Sequence, residues 1–322
     1  MNSQKMTISE IKMSLMEKLR VEESFDLGWD QLDDWLYNSS LFQDINNDLP
    51  QCHFYLVQGH KILGHLSFSV ESSIAFSHLR APFGGFYCSS EVKSEEQLFF
   101  ILEVSRRLKK MGLAEIRLHQ APSMMCKDVL SENLELLGYK RQNERVYQMI
   151  PISKDPFNDG IHSMEKRKLK KSIDMGFELE WVKDDHLKML FDFILDQRQE
   201  KGFTFSMNWE MLKAYRKSFP DNYFGLCLRH NGKMIAGTIL IKENSSVLYN
   251  FAPAHLAQYN RYSPLVFLTE AVYNWAQSEE FKYLNLGTSY VGDESNEGLF
   301  SFKEKLGAQS FIATTYQKVL NS

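Results

Sequence analysis

Cysteine is scarce in this sequence: Cys52, Cys88, Cys126 and Cys227 are the four in 322 residues, and none stands in C-x-x-C spacing. Structural zinc sites and disulfide frameworks both need denser cysteine, so neither is expected, and a reducing compartment fits. Long apolar runs are also missing. No stretch of about 18 apolar residues offers a membrane-spanning helix. The opening MNSQKMTISEIKMSLMEKLR is amphipathic and lacks the unbroken apolar core of a secretion signal. A soluble, cytoplasmic protein without membrane insertion is therefore expected. Neither sign of charge dominates: 37 Lys and Arg face 41 Asp and Glu, for a net charge of −4. That balance argues against a whole-surface nucleic-acid footprint and leaves room for a local basic patch. G-x-S-x-G, H-E-x-x-H, a Walker loop and G-x-G-x-x-G are all missing. Serine hydrolysis, metal hydrolysis and nucleotide-loop chemistry thus lack their scaffolds, and no metal is expected.

A length of 322 residues suits about two domains. A hydrophobic content of 43% is enough for two cores. The halves repeat one rhythm. HFYLVQGHKILGHLSF, from His53, matches YFGLCLRHNGKMIAGTIL, from Tyr223; both read as strand, turn, strand. Gly59 and Gly64 align with Gly232 and Gly237. A further strand follows each hairpin, near Ile74–Leu79 and Val247–Phe251. Then comes a helix, striped by Phe100, Val104, Leu108 and Met111 or by Leu265, Leu268, Val272 and Trp275. A short strand (AEIRLHQ or FKYLNLG), a short helix ending in Leu-Gly at Gly138 or Gly307, and a closing strand complete each half. The turn-rich PISKDPFNDG marks the join, so domains of 1–152 and 153–322 are expected.

The second half carries a more specific constellation: QYNRYSPLVFLTEAVYNWA, then YLNLGTS, then NEGLFSFKEKLGA. This resembles the tandem GNAT-fold proteins related to the Fem aminoacyl transferases, and the acetyltransferase domains grouped with them. In that family a loop resembling R-x-S-P opens the central helix. A strand ending in a D-x-G-x-S pattern and a G-x-x-x-F-K-x-x-x-G helix follow. Ser263-Pro264, Gly287-Thr288-Ser289 and Gly298 through Phe302-Lys303 to Gly307 match. Asn285 departs, standing where relatives carry an acid, and reads as structural. The resemblance implies an α/β fold of mixed sheets, two tandem GNAT folds, and acyl or aminoacyl transfer to an amine. The first domain would be degenerate and the second catalytic. Acyl-coenzyme A is the expected co-substrate, the sequence having no long coiled helical arm. Aminoacyl-tRNA is the alternative donor, and a non-catalytic ligand-binding module the alternative class. The acceptor would be a small-molecule or peptide-like amine.

Acyl transfer to an amine needs the amine deprotonated, the oxyanion stabilised and the leaving group held. Lys303 is the first candidate, a cation at the edge of a buried helix face formed by Leu299, Phe302 and Leu306. The first half has Leu134 at the aligned position. Gly287, Thr288 and Ser289 end a central strand, where amides and hydroxyls suit a carbonyl or phosphate. In the polar loop after them, Glu297 is a candidate proton acceptor. Asn260, Arg261, Tyr262 and Ser263 stand where a coenzyme A diphosphate is gripped at a helix start, although the glycine-rich loop usual there is missing. Ser263 is the expected N-cap and Pro264 the first helical residue. Arg167 and Lys168, in the basic run MEKRKLKKS, suit phosphates, a solvated helix face being the alternative. Arg80 and Phe302 complete the expected substrate contacts. His119 and His255 read as satisfied structural histidines.

Overall fold

The computed structural model describes residue 15 and residues 18–23, 36–46, 48–77, 79–89, 91–122, 129–203 and 205–320. Cys126 and the start of the amphipathic segment, before residue 15, lie outside them. The strands in chain order are β1 (Arg20–Glu22), β2 (Gln51–Gln58), β3 (Lys61–Glu71), β4 (Ile74–Phe76), β5 (Tyr87–Cys88), β6 (Glu115–His119), β7 (Lys140–Pro151), β8 (Glu178–Val182), β9 (Tyr223–His230), β10 (Lys233–Lys242), β11 (Val247–His255), β12 (Tyr283–Thr288), β13 (Tyr290–Val291), β14 (Glu294–Ser295) and β15 (Gln309–Val319). The helices are α1 (Ser40–Ile45), α2 (Ser94–Lys110), α3 (Val129–Leu136), α4 (Phe157–Gly160), α5 (Ser163–Asp174), α6 (Leu187–Gln199), α7 (Trp209–Ser218), α8 (Pro264–Ser278) and α9 (Glu297–Lys305).

Two compact units form. One is Met1–Arg145 with Ile312–Ser322; the other is Val146–Phe311. The units therefore do not divide at 152/153, because each half gives its closing strand away. Thr315–Val319 of β15 pairs antiparallel with β6 in the first unit. Tyr147–Pro151 of β7 pairs antiparallel with β12 in the second. Apart from that exchange the topologies repeat. The first unit runs β1-β2-β3-β4-β6-β15 and the second β8-β9-β10-β11-β12-β7. In each, the fourth and fifth strands are the parallel pair. A parallel pair needs a crossover, which is supplied by α2 in one unit and α8 in the other.

Local chemistry sets the hairpins. Asn231 (φ 50) and Gly232 (φ 73) are both left-handed and join His230 to Lys233. A two-residue turn of that kind matches the natural twist of its strands. In the second unit the side-chain alternation along the strands supports a helix on each face. Leu226, Leu240, Leu248 and Leu284 pack with Val266, Leu268 and Val272 of α8. On the other face, Leu190 of α6 occupies the space where side chains at Gly225 and Gly237 would stand. The expected stripe on α2 is shorter than it reads: Phe100, Val104 and Leu108 are buried, but Met111 is 52% exposed at the helix end.

Candidate active site

The parallel ladder between β11 and β12 is short. Its partners are Val247↔Tyr283, Leu248↔Leu284 and Tyr249↔Asn285. Beyond Tyr249, β11 continues to His255 with no ladder partner on the β12 side among the described residues. β12 meanwhile breaks register against β7 between Asn285 and Thr288. The break is shaped by Gly287, whose φ of 69 lies in the left-handed region. Asn285 holds it there: its Oδ1 accepts the Gly287 N–H at 2.8 Å, and its Nδ2 donates to Glu243 Oε2 at 3.1 Å. Asn285 and Glu243 are both fully buried. A Cβ at Gly287 would meet the Tyr249 hydroxyl at 2.8 Å, so this phenol lies directly against the glycine. Burial pushes the Tyr249 phenol up, the Glu243 carboxylate adds to that, and the Arg198 guanidinium opposes it.

Lys303 reaches the same strand end from α9. The helix is capped by Asn296, whose Oδ1 accepts the Leu299 N–H at 3.0 Å. Lys303 Nζ donates to Thr288 O at 2.7 Å and to Gly287 O at 3.1 Å. The lysine is not at the edge of the buried face but is itself buried, 6% exposed, with Leu306 beside it on that face. Leu299 is half-buried, as is Phe302, which packs against the core. Burial pushes the Lys303 ammonium down to about 7. A neutral lysine amine has two N–H donors, and here two carbonyls take them. The protonated form has a third to give.

A second tie fixes the strand end. Ser289 Oγ donates to Gln148 Oε1 at 2.7 Å, and Gln148 Nε2 donates to Phe300 O at 3.0 Å. Ser289 is 1% exposed, so its hydroxyl proton belongs to Gln148. Glu297 is exposed and accepts the Ser295 hydroxyl at 2.7 Å.

At the start of α8, Ala257–Tyr262 forms a 3-10 turn. Ser263 takes the N-cap position with φ 52 and ψ 52, and its side chain makes no cap hydrogen bond. A side-chain cap needs extended backbone, which Ser263 lacks. Pro264 is the first helical residue as expected. Arg261 lies over the Tyr262 ring at 4.6 Å, and Lys171 Nζ lies 5.4 Å from the same ring. Lys171 is thus the member of the basic run seen to reach this turn. Arg167 is exposed, and Lys168 donates to the buried Glu165 at 2.8 Å. Asn260 Oδ1 lies 2.6 Å from His255 Nε2. His119 is satisfied by Thr315 Oγ1 at 2.8 Å. In the other unit, the exposed Arg80 is ion-paired with Asp48.

Sequence reasoning missed Gln148, Glu243 and Tyr249. Gln148 left a signal: it is a polar residue inside the apolar run VYQMI. Glu243, directly after the run MIAGTILIK, was open to the same reading.

Residues 163–304 match the family described as Acetyltransferase (GNAT) domain. No curated protein sequence matches the chain. Among solved structures, FemX is similar over 100% of this chain and 98% of its own, at 12% identity and a TM-score of 0.69. L-PGS from Bacillus licheniformis is similar over 98% and 92%, at 12% identity and a TM-score of 0.58. A tandem GNAT protein from the clavulanic acid biosynthesis pathway is similar over 95% and 99%, at 10% identity and a TM-score of 0.54. At such identities these likenesses are of fold. With the match over 163–304, they show that this chain carries the GNAT fold.

Proposed function

We propose that the chain is an N-acyltransferase that moves an acyl group from acyl-coenzyme A to an amine, with the chemistry in the second unit. One observation carries this reading. The β11–β12 ladder ends at Tyr249↔Asn285, and Lys303 binds the Gly287 and Thr288 carbonyls at the break. An extended thioester arm fits alongside the unladdered edge of β11, where backbone groups satisfy its amides. Arg261 and Lys171, gathered at Tyr262 by the α8 start, suit the donor's phosphates.

The acceptor nitrogen attacks the acyl carbon. A carbon–nitrogen bond forms, the carbon–sulfur bond breaks, and the proton lost by the amine ends on the coenzyme A sulfur. No covalent enzyme intermediate is needed, and positioning with electrostatic stabilisation does most of the work. Lys303 is suited to give its third N–H to the developing negative charge. The Tyr249 hydroxyl, kept protonated by burial, is a second donor beside Gly287.

Thermal unfolding with and without acetyl-coenzyme A and longer acyl homologues tests the donor. A ligand at ~100-fold its Kd stabilises the folded state by about 2.7 kcal/mol, a readily measured shift. A shift with aminoacyl-tRNA and none with any acyl-coenzyme A gives the donor role to the tRNA.

A further inference from the structure

The end of α6 gathers groups that the transfer chemistry above leaves unused. Gln197 faces inward and is 5% exposed. Its Nε2 donates to Glu200 Oε2 at 3.1 Å, which fixes the amide orientation. Its Oε1 is buried with no hydrogen-bond partner among the described residues. The next residue, Arg198, lies over the rings of Phe203 and Phe205, 5.6 Å from each. Phe205 stacks on Phe251 at 5.5 Å, and Phe251 meets Tyr249 edge-on at 5.5 Å. This cluster therefore continues along β11 to the phenol that lies against Gly287.

These groups differ in what they ask of a ligand. A guanidinium backed by aromatic faces presents one planar fork, the shape that grips a carboxylate through two parallel bonds. An orphaned amide oxygen asks for an N–H, and leaving it unmet is costly. The paired Phe205 and Phe251 rings ask for apolar surface. Burial weakens the charged forms of Arg198 and Lys201; the Glu200 carboxylate favours the Lys201 ammonium, and Arg198 opposes it less strongly.

We propose that the amine acceptor is an α-amino acid with an apolar or aromatic side chain. Its carboxylate lies on Arg198, its amine is directed to Gln197 Oε1, and its side chain lies against Phe205 and Phe251. The inference rests on the acyltransferase reading above and names its substrate. Once its ammonium has lost one proton to solvent, the amino acid's nitrogen forms the new bond to the acyl carbon as the carbon–sulfur bond breaks. The displaced proton ends on the thiol, giving an N-acyl amino acid and free coenzyme A.

Titration calorimetry on the full chain separates the demands with three probes. L-Phenylalanine carries all three groups, 2-phenylethylamine lacks the carboxylate, and 3-phenylpropanoate lacks the amine. L-Phenylalanine is expected to bind, and each truncated probe to bind roughly 10- to 100-fold more weakly, the usual loss for a charge-assisted contact. Arg198→Met is expected to erase the preference for L-phenylalanine over 2-phenylethylamine while keeping the thermal shift with acetyl-coenzyme A. Gln197→Leu is expected to weaken both amines and spare 3-phenylpropanoate. Equal binding of the three probes, or an Arg198→Met protein that still prefers L-phenylalanine, overturns the assignment. So does an acetyl-coenzyme A shift with no binding of any probe, which leaves the donor reading standing. Binding of L-phenylalanine with the Arg198 pattern, but no shift with any acyl-coenzyme A, supports the acceptor site and removes the donor.

Discussion

Lys303 Nζ and the Thr288 carbonyl oxygen lie 2.7 Å apart, and the same nitrogen also serves Gly287 O. One buried side chain thus ties α9 to the strand end where β11 and β12 part. The aligned position in the first unit, Leu134, is fully buried and aliphatic. It has no charge to offer.

Replacing Lys303 by Met keeps most of the stem's volume and removes the nitrogen. Turnover is expected to fall roughly 100- to 1000-fold, the usual loss when one donor to a developing charge is removed. Two carbonyls lose their donor as well, so stability is expected to drop by about 1–3 kcal/mol. Leu134→Met is the control. A volume-conserving swap in an apolar core costs under about 1.5 kcal/mol and leaves turnover unchanged. Steady-state kinetics beside thermal melts reads both effects. A folded, fully active Lys303→Met protein would remove Lys303 from the mechanism.

The same lysine predicts a pH dependence. Burial lowers it to about 7 from its ordinary 10.5. Between those values the unfolded chain binds the proton and the folded chain does not, so stability rises with pH across that window. The slope from this one group is at most about 1.4 kcal/mol per pH unit. Below pH 7 both states are protonated and the contribution is flat. Lys303→Met should lack the rise. Urea unfolding of both proteins from pH 6 to 9.5 compares the curves, and parallel curves would contradict a buried, depressed lysine.

Much of this architecture was legible because it is written locally. The hairpin at Asn231-Gly232, the crossover helix with Pro264 at its start and the capped helix carrying Lys303 each follow from neighbouring residues. The exchanged closing strands were not legible. KRQNERVYQMI and SFIATTYQKVL read equally well beside either central strand, and the choice is made by sheet partners far away in sequence. At the site, the motif G-x-x-x-F-K pointed to Lys303, but its burial depends on how α9 meets β12. Ser289 read as a hydroxyl on offer to a carbonyl or phosphate because Gln148, the partner that takes its proton, lies 141 positions earlier.

Gly287→Ala tests the glycine's role in shaping the break. An alanine at φ 69 carries strain of about 1–2 kcal/mol, and its Cβ would stand 2.8 Å from the Tyr249 hydroxyl. The total loss is expected to be about 2–4 kcal/mol, strain and steric conflict together. Adding Tyr249→Phe removes the oxygen in the way, so the double variant should lose less than the two single losses added. Strict additivity in denaturant unfolding would place Tyr249 away from the glycine.

Asn285→Asp puts the acid of the resembling family into this chain and is expected to harm it. Asn285 and Glu243 are both fully buried, and the amide donates to the carboxylate across 3.1 Å. An aspartate keeps the acceptor for the Gly287 N–H but sets a second carboxylate against Glu243. Two carboxylates so close cannot both ionise cheaply, so one is raised well above its ordinary value. The folded variant then holds a proton that the unfolded chain releases, and its stability falls as pH rises from about 4 toward the raised value. The deficit against the parent should be small near pH 5 and grow by up to about 1.4 kcal/mol per pH unit above it. Changing Glu243→Gln as well exchanges the amide and the acid and restores one donor facing one acceptor. That double variant should recover most of the loss and flatten the profile. Unfolding curves from pH 5 to 8 decide the matter. An Asn285→Asp protein as stable as the parent at pH 8 would mean that Glu243 is protonated there, and the buried pair would then be an acid facing an amide rather than an anion held by one.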